Sequence, residues 1–347
     1  MPNQLYFFFP FILFLYQNTG LRNIDIDSKQ FFSEEGIIDI ELVSDFKYLI
    51  KNKLEQDYKQ RFQPATISLT FPEGNISQEQ VEVRSRGQFR RERCYLPPIM
   101  INFKKSTTSS LRKLGKLKLV WPCRFDSYHE QLILKEYLVY KIYNLITEKS
   151  FRVRLVKIKY QESSTKKFSD PVFGFFIEDV DAMAKRNNCM EIQGQKYLTE
   201  QTERAQLTLL SIFQYMVGNT DWAIPLYRNI KLIGNVEYTE HPPYAVPYDF
   251  DYCGFVNANY AEPQPGLSLT SIQQRLYRGF PREISELHTA LDIFKKRQNG
   301  IDSLIDNMEY LSVYNKKETK RYINEFYDII KSERDIKSIF ITNARTN

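Results

Sequence analysis

The sequence predicts an α+β protein in two parts: an N-terminal antiparallel-sheet lobe carrying one long helix, then a mainly helical C-terminal lobe. Three observations lead there. Up to about residue 180 the apolar positions fall in short alternating runs, the period of half-buried strands. Beyond it they recur at helical spacing. One long helical stretch, residues 127–147, interrupts the strand-rich half. The aromatic supply, 25 Phe and 23 Tyr, is large enough to fill a sizeable core. The boundaries that follow are 1–20 for a signal peptide or N-terminal anchor, 21–34 for a polar entry segment, 35–180 for the sheet-rich part and 181–347 for the helical part.

The elements follow in order. Residues 37–43 alternate as a strand, and 45–54 read as helical. Residues 65–71 and 81–86 form a hairpin through a connection containing Pro72-Glu73-Gly74-Asn75, a turn-forming composition. Residues 99–103 and 116–120 are further strands. The helix of 127–147 is apolar at Leu132, Leu134, Leu138, Ile142 and Ile146, with Glu130 and Glu136 available on it. Strands at 153–160 and 172–177 precede a helix that begins in 178–186. Residues 205–217 are apolar on most sides, as in a buried helix, and Gly218-Asn219 ends it. A strand at 229–233 and another at 246–252 follow, then helices at 271–278, 282–298, 301–311 and 317–330.

Composition and motifs exclude several classes. With 42% hydrophobic and 26% charged residues the chain is not of disordered type. The net charge of +6 is dispersed apart from Arg84, Arg86, Arg90, Arg91 and Arg93, so there is no broad basic stripe for nucleic acid. That cluster reads either as a solvated strand-turn face or as a phosphate contact. The three histidines form no His-x-x-x-His pair and no Cys-x-x-Cys exists, which argues against zinc. A Gly-x-Ser-x-Gly elbow is missing, which argues against a Ser-His-Asp hydrolase. Residues 5–16 are almost wholly apolar, too short for a comfortable membrane span but suited to the core of a signal peptide. The expected location is therefore exported: periplasmic, cell-envelope or secreted. Cys94, Cys123, Cys189 and Cys253 allow disulfides there, and Cys94 with Cys123 is the favoured pair because both fall in the sheet-rich part.

Two acidic segments carry the chemistry. One is Gly218-Asn219-Thr220-Asp221-Trp222, leading on to Asn229; the other is Val246-Pro247-Tyr248-Asp249-Phe250-Asp251-Tyr252-Cys253-Gly254. In an extended segment Asp249 and Asp251 share one face, and neighbouring carboxylates repel unless a cation lies beside them. Magnesium needs only one or two carboxylates when phosphate oxygens complete its shell. A carboxylate after a rigid helix, an asparagine, and a later Asp-Phe-Asp is the order found in phosphoryl-transfer centres.

These residues resemble the CotH kinase-like family, named for spore coat protein H. The likeness covers roughly residues 35–300 and rests on four segments: Val83-Arg84-Ser85-Arg86-Gly87 with its basic follow-on and 99–103, Phe173-Gly174-Phe175-Phe176-Ile177-Glu178-Asp179-Val180-Asp181, Asn219-Thr220-Asp221 with Asn229, and Pro247-Tyr248-Asp249-Phe250-Asp251. The resemblance implies a two-lobed protein-kinase-like fold. It implies ATP as cofactor with Mg2+, or Mn2+ in its place, and phosphoryl transfer to a hydroxyl of an unidentified protein at the cell surface or envelope. Asp221 is then the base, Asn229 and Asp249 are metal ligands, and Asp251 is the second acid. Glu178 stands where the family's chain crosses between lobes. Lys118 is the candidate phosphate-binding lysine, with Glu136 or Glu130 as its helix partner, and Arg86 is its stand-in. The chain departs from kinase patterns in having no Gly-x-Gly-x-x-Gly loop, only Gly87, and a longer stretch between Asp221 and Asn229. Those departures keep a second reading open, an inactive pseudokinase or surface-binding module, and a third, nucleotidyl transfer.

Overall fold

The computed structural model describes residues 28–346 apart from positions 58, 60, 108 and 239. The apolar segment 5–16, the leader assigned to 1–20 and the first part of the entry segment lie outside the described residues.

Seven strands close on themselves. They are β1 (Ile38–Ser44), β2 (Gln63–Thr70), β3 (Ile76–Ser85), β4 (Ile99–Asn102), β5 (Lys116–Val120), β6 (Val153–Glu162) and β7 (Val172–Ile177), arranged β1-β2-β3-β4-β5-β7-β6 around a barrel. Neighbours are antiparallel except β1 and β6, which run parallel with Ile38 opposite Val156. This corrects the expected architecture. The chain does not form a two-lobed kinase-like fold with an N-terminal antiparallel-sheet lobe; it forms a closed, mixed barrel, and a second small sheet lies beyond it. Alternation identifies strands but not which edges meet, and the β1–β6 pairing joins segments far apart in sequence. Closure leaves no sheet edge unpaired, which an open sheet must protect by other means.

The alternating strands point one face inward. Ile38, Ile40 and Leu42 of β1, with Ile67 and Leu69 of β2, are buried in a single apolar cluster. The short helix α1 (Ser28–Ser33) adds Phe31 and Phe32 to it, and the Phe31 ring lies 6.0 Å from Phe176. The segment expected to be a polar entry is thus in part a plug for the barrel. β7 is buried on both faces, which is why it reads as a continuous apolar run. Val172 and Phe176 face the barrel interior, while Phe173, Phe175 and Ile177 join the helical core. Gly174 lets these layers approach: a Cβ there would lie 2.8 Å from the Val120 carbonyl oxygen.

Three short helices, α2 (Phe46–Lys51), α3 (Phe89–Arg93) and α4 (Ser109–Arg112), connect barrel strands. The long helix α5 (Ser127–Ile146) packs outside the barrel and begins at Asp126, whose carboxylate accepts the His129 N–H. After α6 (Val180–Arg186) and β8 (Cys189–Ile192), helix α7 (Arg204–Met216) runs through the core and leads into the first acidic segment. β9 (Ile230–Asn235) and β10 (Tyr244–Pro247) join β8 in the second sheet, ordered β10-β9-β8. Helices α8 (Ile284–Asp306), α9 (Val313–Ile329) and α10 (Glu333–Lys337) complete the body.

Residues 271–278 are not helical. Arg275 reaches the Met216 carbonyl and Glu325, Arg278 reaches the Thr220 and Trp222 carbonyls, and these anchors hold the segment as turns. The break expected between 298 and 301 is absent because α8 continues through Gly300. Cys94 and Cys123 form the expected disulfide, with Cα atoms 4.7 Å apart, while Cys189 and Cys253 are buried thiols. Among the described residues no helix is long and apolar enough to cross a membrane.

Candidate functional site

The two acidic segments are stitched together by the backbone. The Gly254 N–H donates to the Gly218 carbonyl at 3.0 Å, Phe255 N–H to Val217 at 3.0 Å, and Tyr248 N–H to Asn229 at 3.0 Å. Gly218 has φ +65°, and a Cβ there would lie 2.0 Å from the Tyr322 hydroxyl, so only glycine fits this crossing. The stitching brings Asp221, Asn229, Asp249 and Asp251 together beside Tyr140 of α5, close enough for Asp249 to act on both other carboxyls.

The Asp-Phe-Asp segment is not a strand. β10 ends at Pro247, and Asp249 adopts φ +64°. Asn229 is also left-handed, at φ +52°. Such backbone costs of order 1 kcal/mol for a residue other than glycine and collects at functional sites. The strand pattern therefore gave the right residues for the wrong reason: Phe250 is buried in the core, but a turn rather than a pleat sets the two acids.

The four residues differ in their partners. The Asn229 amide nitrogen donates to the Asp221 backbone carbonyl at 2.8 Å and to Asp221 Oδ2 at 3.0 Å. Asp221 Oδ1 accepts from Gln264 Nε2 at 2.9 Å and lies 3.6 Å from Arg228 Nη1. Burial raises the Asp221 carboxyl, opposed by Arg228 and reinforced by Asp249. Asp251 accepts the Tyr260 hydroxyl at 3.2 Å; burial, then the charge of Asp249, pushes it up to about 7. The Asp249 backbone N–H is held by the Tyr140 hydroxyl at 2.8 Å, yet its carboxylate takes no hydrogen bond or ion pair from a described residue. The Asn229 amide oxygen is likewise without a donor among the described residues.

Cations approach from the barrel. Arg90 of α3 is buried, bonds the Trp121 carbonyl and lies 3.6 Å from Glu136 Oε2. Glu136 is held well above the carboxylate range by burial and by Asp251, against the pull of Arg90. Lys118 of β5 pairs with neither Glu136 nor Glu130. Its ammonium lies 4.5 Å from the centre of the Tyr248 ring, and Glu130 is used by the Phe173 N–H at 2.7 Å. Burial, then Arg86 and Lys231, pushes Lys118 down to about 7, with Asp249 opposing. Arg86 acts on Lys118, Glu136, Tyr140 and Tyr248 alike, which places it near the same groups. Glu178 turns elsewhere: it is buried and pairs with Arg186 at 2.9 Å and with the Arg152 N–H at 3.1 Å.

Comparison with family models and with curated proteins returns no match to this chain. The site stands on its own geometry. Among the described residues no group of three or more His, Cys, Asp or Glu side chains gathers as a metal cage. A magnesium ion shared with phosphate oxygens does not require one. The residues fit such an ion with its polyanion: the Asp249 carboxylate, which takes no hydrogen bond from a described residue, stands near a raised Asp251, and a lowered Lys118 near Arg86 is available to phosphate oxygens. Sequence reading missed Arg90 as the partner of Glu136. It also missed Tyr140, which fixes Asp249, and Gln264 with Arg228, which close on Asp221. The i,i+4 spacing of Glu136 and Tyr140 on α5 was the one signal available for Tyr140.

Proposed function

We propose that the chain carries out ATP- and Mg2+-dependent phosphoryl transfer to a protein hydroxyl, the activity that its resemblance to CotH kinase-like proteins implies. The reading rests on the site residues and not on the architecture. One observation carries it: Asp249, half-buried on strained backbone and flanked by two raised acids, offers both carboxylate oxygens to whatever enters the cleft. Bound Mg–ATP supplies the phosphoryl group, and its metal ion sets positive charge directly beside the Asp249 and Asp251 carboxylates. Asp249, Asn229 and Asp251 hold the ion. Lys118 and Arg86 offset phosphate charge. Asp221, made more basic by burial, orients the acceptor hydroxyl and takes its proton. The Cys94–Cys123 disulfide supports an oxidising compartment and hence export.

The test is calorimetric titration of Mg–ATP. Asp249→Ala is expected to weaken binding about a hundredfold or more, beyond what loss of an outer-shell partner costs. Asp221→Asn keeps the affinity but slows γ-phosphate transfer by about 10²–10⁴. Unchanged affinity in Asp249→Ala removes the site from consideration. A second reading, nucleotide binding without turnover, is favoured by Asp221 having both oxygens occupied and by Gly87 standing without a glycine-rich loop. It is distinguished by tight Mg–ATP binding with no label transferred to any protein.

A further inference from the structure

Each carboxylate oxygen of Asp221 already accepts a hydrogen bond. Its Oδ2 is held by Asn229, and its Oδ1 by the side-chain amide of Gln264 at 2.9 Å. The other end of that amide, Gln264 Oε1, accepts from Arg228 Nη1 at 3.1 Å. One amide thus spans the base and a guanidinium, presenting a donor to the first and an acceptor to the second.

The amide sits on an irregular strap. Ala261-Glu262-Pro263-Gln264-Pro265-Gly266 has no helix or strand, and the flanking prolines limit its conformations. Gly266, at φ +84°, lets it turn away again. The strap starts from a fixed point. Tyr260 bonds Asp251 and packs against Phe89 at 5.9 Å and Tyr252 at 6.0 Å. Gln264 itself is only half-buried, so its hold on Asp221 is a surface contact that a ligand can displace.

We infer that Gln264 occupies the acceptor position as a stand-in for substrate, and that the acceptor which displaces it is a peptide hydroxyl with a carboxylate beside it. The hydroxyl replaces the amide N–H on Asp221. The carboxylate replaces the amide oxygen on Arg228, where a charge-assisted bond outcompetes a neutral one. The local field agrees. Arg278, donating to the Thr220 and Trp222 carbonyls on either side of Asp221, feels the positive charges of Arg345 and Arg228. The Arg228 side chain is half exposed and reachable from solvent. Gln264 is in this account an autoinhibitory residue, and Arg228 is the one that selects the acceptor. The inference rests on the phosphoryl-transfer reading.

The experiment uses the full chain and two fluorescent peptides that differ only in carrying Ser-Glu-Glu or Ser-Lys-Lys. Their binding is followed by anisotropy, with Mg–ATP affinity and melting temperature measured alongside. Gln264→Ala is expected to bind the acidic peptide about tenfold more tightly than wild type, the equivalent of one displaced contact of about 1.4 kcal/mol. Its Mg–ATP affinity and melting temperature stay unchanged. Arg228→Glu loses that preference and favours the basic peptide. Gln264→Ala binding both peptides as wild type does, or Arg228→Glu still preferring the acidic one, overturns the inference while Mg–ATP binding leaves the earlier reading intact. Absence of Mg–ATP binding in wild type fails that reading first and takes this one with it.

Discussion

The barrel and the acidic cleft are built on opposite terms. Inside the barrel the inward faces are mostly apolar, and the buried carboxylate of Glu79 on β3 is satisfied by the Ser106 hydroxyl and the Thr107 N–H. In the cleft three aspartates and Glu136 crowd together, two motif residues sit on left-handed backbone, and the Asp249 carboxylate takes no hydrogen bond or ion pair from a described residue. Folding alone gives no reason to assemble the second region. The difference indicates where stability comes from and where it is given up: well-packed surroundings can hold strained, repelling groups in place when an incoming ligand relieves them.

The largest effect that sharpens this contrast is in the barrel. Phe176 is fully buried, with Phe31 at 6.0 Å and Phe103 at 6.3 Å. Phe176→Ala removes a ring from a closed interior and is expected to cost about 3–5 kcal/mol in urea unfolding. A loss below about 1 kcal/mol would mean that the barrel is loosely filled, and the contrast would lose its stable half.

How much of this was legible in the sequence follows the same line. β1, β2 and β3 each alternate, and their strand character was plain from residues 37–43, 65–71 and 81–86. The parallel β1–β6 seam that closes the barrel was not, because pairing between distant strands leaves no local mark. In the cleft, residue type and order singled out Asp221, Asn229, Asp249 and Asp251: either acidic segment alone suits a cap or a turn, but the two in that order with a strand between them suit a phosphoryl-transfer centre. Their geometry was misjudged. Tyr248-Asp249-Phe250-Asp251 alternates like a strand, but the chain leaves β10 at Pro247 and turns. The Lys118–Glu136 pairing failed for a related reason. Glu136 meets Arg90, whose position depends on how α3 docks beside the disulfide, and nothing in the arginine run distinguished that one side chain.

A smaller effect tests whether the penalty is confined to the cleft. Lys135, next to Glu136 on α5 but on another face, is buried beside a cavity of about 60 Å3 lined by Gly254, Glu318 and Tyr322. Burial pushes its ammonium down to about 8, with Cys253 and Glu318 opposing. An unfolded lysine titrates near 10.4, so between about pH 8 and 10.4 the unfolded chain holds more protons and stability rises with pH. Below about pH 8 the whole penalty is present. Lys135→Met is therefore expected to add about 1–3 kcal/mol at pH 7 and to flatten the rise toward pH 10 in urea unfolding. Equal stability of the two proteins at pH 7 would mean that the cavity solvates the ammonium and that the uncompensated charge lies with the acids alone.

The smallest effect bears most directly on the comparison. Asp249→Asn keeps the shape of the side chain and a residue type that tolerates the left-handed backbone, but removes one of the repelling charges. Burial raises both Asp221 and Asp251, and the charge of Asp249 raises each further. Without ligand the variant is therefore expected to be more stable than wild type by about 1 kcal/mol, seen as a higher melting temperature at neutral pH. With Mg–ATP the order reverses. Ligand at about 100 times its dissociation constant stabilises a protein that binds it by about 2.7 kcal/mol, and the variant forgoes this. Crossing of the two melting temperatures as Mg–ATP is added ties the strain to its purpose. A variant less stable than wild type in the absence of ligand would show that Asp249 is held by the fold for the fold's own sake, and the cleft would then differ from the barrel in composition but not in kind.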